Sequence, residues 1–187
     1  MNSAVKSGPP KNIFTRRLCL RAPVLEDAFD LNPIYNDIEI ARWISVPNPH
    51  PLGLTLERFQ RFLTFPAQEC CFILSRKSDR KHKAIGLILA NWKDSDNPPI
   101  MGFFLAAKHH GKGFMSEALS AAVTEIFRLA NADSIRATYY EGNVASEHLL
   151  PKIGFHSTGT SKAFNLATGQ HEQQHDMVLS RADTVLE

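Results

Sequence analysis

The pattern of apolar and polar residues changes character near residue 70. Before it, the chain reads as short amphipathic pieces. RRLCLRAP (16–23) alternates apolar and basic residues, which predicts a strand ended by Pro23. VLEDAFDLNPIYND (24–37) carries Leu25, Ala28, Phe29 and Leu31 at helical spacing, with Pro33 placed to break or restart the helix. PNPHPLG (47–53) reads as loop. TLERFQRFLTF (55–65) predicts an amphipathic helix with Leu56, Phe59, Phe62 and Leu63 on one side and Thr55 as its cap. After residue 70 the runs become nearly all apolar. CCFILS (70–75) and KAIGLILAN (83–91) predict central strands, and IMGFFLA (100–106) a third. FMSEALSAAVTEIFRLA (114–130) follows the i, i+3, i+4 rule through Ala118, Leu119, Ala122, Val123, Ile126, Phe127 and Ala130, the strongest helical signal in the chain. SIRATYY (134–140) reads as a strand and NVASEHLLPKIG (143–154) as a short helix with an exit turn. The order β-α-α-β-β-β-α-β-α-β-β predicts a mixed α/β domain.

The last segment contains HEQQH (171–175), the H-E-x-x-H pattern of zinc peptidases. That pattern needs a helix, where positions i and i+4 share one face and two imidazoles can meet one metal. Here the flanks are KAFNL and DMVLS, joined through ATGQ with Gly169 suited to a turn, so a β-hairpin is predicted. On a strand the two His lie roughly 13 Å apart at about 3.3 Å per residue. A zinc with bonds of about 2.0–2.1 Å cannot span them. Neither His nor Cys follows His175 to complete a ligand set, and Asp176 and Asp183 remain as weak carboxylate options. No metal is expected.

Composition narrows the picture without adding chemistry. The 187 residues suit one domain, with 1–12 as a disordered tail and 13–183 as the folded unit. The net charge of +2 gives no pull toward nucleic acid or an anionic membrane surface. The basic run RKSDRKHK (76–83) lies between two apolar runs and reads as a solvated turn. Three Cys, two of them adjacent at 70 and 71 among apolar neighbours, predict buried reduced thiols and a cytoplasmic protein. The N-terminal segment lacks the apolar core of a signal peptide, and no apolar stretch is long enough for a membrane span.

Two segments can carry chemistry. The first is strand, HHGKGFM, helix. A glycine-bearing loop opening onto a helix N-terminus offers free N–H groups and the positive end of the helix dipole, an anion site suited to phosphate. Lys108 and Lys112 add charge. The loop matches neither G-x-x-x-x-G-K-[ST] nor G-x-G-x-x-G. An ordinary strand-to-helix turn would need the same glycines. The second is the turn EGNVAS after SIRATYY, where Asn143 taken alone reads as a helix cap.

Together, MGFFLAAKHHGKGFMSEAL and, further on, NVASEHLLPKIGF resemble the GNAT N-acetyltransferases, and most closely the branch that includes the Rim-type ribosomal-protein N-terminal enzymes. RRLCLRAPVLEDA matches that branch's opening, so the resemblance runs over roughly residues 14 to 181. It implies a mostly antiparallel sheet of about seven strands flanked by about four helices, with one splayed strand pair. It implies acetyl-CoA as co-substrate, an amine acceptor that is a protein N-terminus or a small molecule, and a monomer or homodimer. In the family's Q/R-x-x-G-x-G/A loop, which cradles pyrophosphate, stand His110, Gly111, Lys112, Gly113, Phe114 and Met115. Phe103 and Leu105 fall on the splayed strand whose backbone pairs with pantetheine and polarises the thioester, so Leu105 is a candidate catalytic position through its N–H. Asn143 and Ser146 fall where the family contacts CoA or the leaving thiolate, and Ser146 is the candidate proton donor. The chain departs from the pattern at His110 and Met115, and carries Met101 and Leu150 where acid and base residues are common. Glu69, Glu141, His109 or water remain as base candidates. Residues 35–55, with Trp43, and 93–99 and 160–175 are expected to shape the acceptor pocket.

Overall fold

The computed structural model describes residues 10–64, 68–93 and 97–184. Most of the expected N-terminal tail, and residues 94–96 of the expected DSDNPP turn, lie outside the described residues. In chain order the strands are β1 (Ile13–Phe14), β2 (Leu18–Arg21), β3 (Glu69–Arg76), β4 (Ala84–Asn91), β5 (Ile100–Leu105), β6 (Ser134–Tyr140), β7 (His156–Asn165) and β8 (Gln170–Ser180). The α-helices are α1 (Asp27–Tyr35), α2 (Ile38–Ile44), α3 (Leu52–Leu63), α4 (Phe114–Ala130) and α5 (Val144–Ile153). The strands form one sheet in the order β1-β2-β3-β4-β5-β6-β8-β7. Every pair is antiparallel except β5 with β6.

Both faces of the sheet are covered, which is why β3 and β4 read as continuous apolar runs. On one face Leu74, Ile88, Met101 and Ile135 pack against α4 and α5 through Leu119, Val123, Ile126 and Leu150. On the other, Cys71, Ile73, Leu87 and Phe104 pack against α1 to α3 through Leu31, Tyr35, Phe59 and Phe62. Burying each such side chain contributes about 1.5–3 kcal/mol. Cys19, Cys70 and Cys71 are buried free thiols, and burial pushes the Cys70 thiol up to about 12. No helix among the described residues is long and apolar enough to cross a membrane.

The structure adds to the expected elements and corrects four details. The two-residue β1 and the seven-residue α2 raise the described totals to eight strands and five α-helices. α2 is short and lies between Pro33 and Pro47, too brief for a helical period to show; Asp37 caps it by accepting the Glu39 N–H at 3.1 Å. Helix α3 starts at Leu52, so Thr55 is not its cap. Thr55 is fully buried inside the helix, where its hydroxyl accepts from Asn32 Nδ2 at 3.0 Å. Leu63 of the same helix is among the exposed apolar residues. Pro33 does not end α1, and Pro151 likewise sits inside α5. The residues four positions earlier, Phe29 and Glu147, are both exposed, so water can bond the carbonyls left without an intrahelical partner. Phe29 therefore lies on the outer side of α1 rather than in the core.

HEQQH lies on β8, as the hairpin reading required. The ring of His171 meets Phe164 edge-on at 5.2 Å, and His175 stacks on Tyr139 of β6 at 4.8 Å. Glu172 accepts from Thr168 Oγ and Asn165 Nδ2. Each residue of the pattern has a different neighbour, as strand geometry dictates.

Candidate active site

Strands β5 and β6 run side by side for only two residue pairs, Ile100 with Arg136 and Met101 with Ala137. Beyond them the strands part. Register decides what faces the gap. The Ala106 N–H donates to the Ile85 carbonyl at 2.8 Å, so even-numbered positions of β5 turn their backbone toward β4. Phe103 and Leu105 therefore turn their N–H and C=O groups toward the opening, where no described strand meets them. Their side chains go elsewhere: Leu105 is buried in the core under α4, and Phe103 is half-buried against the same cluster. Only the backbone of Leu105 is available to a ligand. Its carbonyl is already engaged by His110 Nε2 at 2.7 Å. A carbonyl can only accept, so Nε2 carries the hydrogen.

After β5 a single 3-10 turn (Ala107–His109) leads to His110, Gly111, Lys112 and Gly113, all exposed. Gly111 has φ 69° and Gly113 φ 71°, the left-handed region that glycine occupies at little cost. The first backbone bond into α4 runs from the Glu117 N–H to the Gly113 carbonyl at 3.1 Å. The N–H groups of Phe114, Met115 and Ser116 thus precede any intrahelical partner, and no side chain caps the helix. Lys112 Nζ donates to the Lys108 carbonyl at 2.7 Å, which folds a positive charge over the loop. Phe114 is buried. Met115 is half-buried against the core, so its length does not crowd the loop.

Across the gap, β6 ends in a turn through Gly142 (φ 85°) into α5. Asn143 is a buried cap whose Oδ1 accepts the Ser146 N–H at 3.2 Å. Its side-chain oxygen is thus occupied, as the cap reading alone anticipates. The Ser146 hydroxyl is half-exposed and makes no hydrogen bond among the described residues. Because β5 and β6 are parallel and α4 and α5 pack on one face, the loop 106–113 and the turn 141–143 stand at the same end of the two strands. A crevice at the carboxyl ends of parting parallel strands is the usual ligand site of such sheets. On the opposite face Gly102 has open space where a Cβ would stand, and Ile100, Arg136 and Thr138 are exposed.

Segments distant in sequence meet beside α2. Fully buried Asn165 donates to the Arg42 carbonyl at 2.7 Å. The Leu166 N–H donates to Ser45 Oγ at 3.0 Å. These bonds fasten the β7–β8 tip to α2. Trp43 stands 3.8 Å from the Cβ position of Gly142.

The residues weighed as bases separate. Glu141 is exposed. Glu69 is paired with Arg61 at 2.9 Å, and burial raises its carboxyl above the usual range despite that partner. His109 is buried with its ring edge-on to Phe114 at 6.1 Å. Met101 and Leu150 are both core residues. Sequence reasoning missed Tyr139, beside the parting strands, and the N-terminal side chains that reach the loop. The paired tyrosines ending SIRATYY were the available signal for the first.

Burial lowers both His109 and His50, with lysines and Arg58, respectively, adding to the effect. A histidine lowered in the folded state binds fewer protons there than in the unfolded chain. Its contribution is full above the ordinary value of about 6.5 and is lost as pH falls below it. The midpoint of thermal unfolding should therefore drop between pH 7.5 and pH 5.5. The drop should be smaller in a His50→Gln/His109→Gln variant, which a pH series of melts on both proteins checks.

Comparison with known proteins fits this geometry. Residues 17–156 match the family model described as an acetyltransferase (GNAT) domain. An uncharacterized N-acetyltransferase, p20, of Bacillus licheniformis is 27% identical over 164 residues, covering 86% of this chain and 90% of its own length. The ribosomal protein uS5-alanine N-acetyltransferase of Escherichia coli is 37% identical over 70 residues, 37% of this chain and 36% of that one. Among solved structures, spermidine N-acetyltransferase from Vibrio cholerae, in complex with CoA and spermine, superposes with a TM-score of 0.77 at 19% identity, over 90% of this chain and 98% of that one. A glycine loop on a helix N-terminus, a parallel strand pair that opens above it and a family match over most of the length agree: the chain belongs to the GNAT acetyltransferase family.

Proposed function

We propose that residues 13–183 form one acetyltransferase domain that moves an acetyl group from acetyl-CoA to a primary amine held in the same complex. The parting of β5 from β6 after Met101 is the observation that carries this reading. It leaves the Phe103 N–H and C=O open to the amides of pantetheine, and the Leu105 N–H able to polarise a thioester carbonyl. Gly111, Lys112, Gly113, Phe114 and Met115 hold the pyrophosphate through backbone N–H groups, with His110 bracing the loop against Leu105. Asn143 and Ser146 border the thiol end. The neutral amine nitrogen bonds to the acetyl carbon, the carbon–sulfur bond breaks, and the departing thiolate takes a proton from the Ser146 side. Water removes the amine proton. Much of the acceleration comes from holding two reactants in line.

The acceptor class draws support from relatives whose names span a ribosomal-protein alanine and spermidine. A second reading, a CoA-binding module without turnover, is favoured by one observation: Met101 and Leu150 fill the usual acid and base positions with core packing. A melt with and without acetyl-CoA, followed by thiol release with N-terminal peptides and polyamines, separates the readings. Saturating acetyl-CoA should raise the midpoint, since ligand at about 100 times its Kd adds about 2.7 kcal/mol. Binding with no release from any amine would leave the module reading. No binding at millimolar acetyl-CoA would remove both.

A further inference from the structure

The loop 110–113 is held by a side chain about one hundred residues away. Glu117, in the first turn of α4, accepts from Thr15 Oγ at 2.5 Å, from the Arg17 N–H at 2.7 Å and from Arg17 Nε at 2.7 Å. Arg17 then reaches past it. Its Nη1 donates to the Lys112 carbonyl at 2.8 Å, and its Cζ lies 4.5 Å above the Phe114 ring. Its Nη2 stands 3.4 Å from the Cβ position of Gly113. One guanidinium therefore touches three points of the loop and helix start: Lys112, Phe114 and Glu117.

The consequence follows from peptide geometry. In a trans peptide the C=O and the next N–H point in opposite directions. Arg17 pins the Lys112 carbonyl to the β1–β2 side, which turns the Gly113 N–H away from that side. Charge enters as well. Glu117 alone would place a carboxylate within one turn of the helix start and oppose an anion there; Arg17 neutralises it. The turn itself is built for the task, since the Thr15 hydroxyl also accepts the Leu18 N–H at 3.1 Å.

We infer that Arg17, seated on Glu117, is a positioning residue of the acetyl-CoA loop: it aims the Lys112–Gly113 peptide and cancels the Glu117 charge beside it. This rests on the reading that the loop holds the CoA pyrophosphate. A guanidinium fork does this and an ammonium does not, because the three contacts to Glu117, Lys112 and Phe114 need separate nitrogens and a flat face.

The test uses the full chain, with acetyl-CoA affinity measured by titration calorimetry and KM for acetyl-CoA and for an amine acceptor measured separately. Arg17→Lys keeps the charge but not the fork, and Arg17→Met keeps the apolar stem over Phe114. Both should weaken acetyl-CoA binding about 10-fold and raise its KM alike, while the amine KM moves less than about 2-fold. Equal losses in both variants identify aim as the larger part; full rescue by lysine would overturn the positioning claim. An unchanged acetyl-CoA Kd in Arg17→Lys, with wild type binding normally, would overturn the inference and leave the functional reading standing. Absence of binding in wild type would remove the reading, and the inference with it. Should either variant fail to fold, Thr15→Val, which loosens Glu117 without touching the loop, replaces it. A loss of about 3-fold in acetyl-CoA affinity is then expected, and no loss overturns the inference.

Discussion

Replacing Gly111 and Gly113 together by alanine is expected to weaken acetyl-CoA binding by about 30- to 1,000-fold. Both residues hold positive φ, 69° and 71°. An alanine in that region costs roughly 1–2 kcal/mol, so the pair costs roughly 2–4 kcal/mol. At about 1.4 kcal/mol per decade this gives the stated range. The loop is exposed, so in the free protein it can relax and avoid the cost; the penalty then returns when the ligand demands the original shape. Crowding does not confuse the result at Gly111, where nothing lies within 4 Å of an added Cβ. At Gly113 the nearest atom is the Arg17 guanidinium at 3.4 Å, an ordinary contact. Titration calorimetry on the double variant decides the matter. A Kd within about 3-fold of wild type would show that the ligand does not depend on this loop conformation.

Gly86→Ala should lower the unfolding midpoint by roughly 6–12 °C. An added Cβ would stand 2.3 Å from the Phe104 carbonyl oxygen and 2.9 Å from Leu105 Cα. Both are backbone atoms of β5, so no side-chain rotation relieves the clash. The close approach has a local cause. The β3–β4 register slips between Leu74 and Ser75, opposite Gly86 and Ala84, so Gly86 stands at the edge of a bulge. Overpacking of this kind costs about 3 kcal/mol, which for a chain of this size is roughly 2–4 °C per kcal/mol. The same shift would displace the strand carrying Phe103 and Leu105, so acetyl-CoA affinity should fall with the midpoint. A melt within about 2 °C of wild type would show that the two strands can separate freely here.

The two glycine positions mark different limits of what can be read from residues alone. Gly111 and Gly113 stand in a polar loop before the most periodic helix of the chain, so their turn conformation is legible from local chemistry. Gly86 sits inside an apolar run that predicts a central strand, and nothing in that run signals a bulge.

The sequence by itself determined the elements whose pattern is local and long. Helix α4 and strand β6 match their expected bounds because their periods of 3.6 and 2 hold over whole segments. The hairpin position of HEQQH followed from its flanks, and the exposed loop before α4 from glycines at a strand-to-helix junction. Tertiary structure alone decided what depends on neighbours far along the chain. β1 and α2 are too short to show a period, and each is held by its partners. α3 starts at Leu52 rather than after Thr55, because buried Thr55 bonds to Asn32 of another helix, a contact that its own segment does not reveal. The parting of β5 from β6, and the choice of Phe103 and Leu105 as the residues that face it, come from register across three strands. The Arg17–Glu117 clamp joins residues about a hundred positions apart, and only the folded sheet brings the β1–β2 turn against the start of α4.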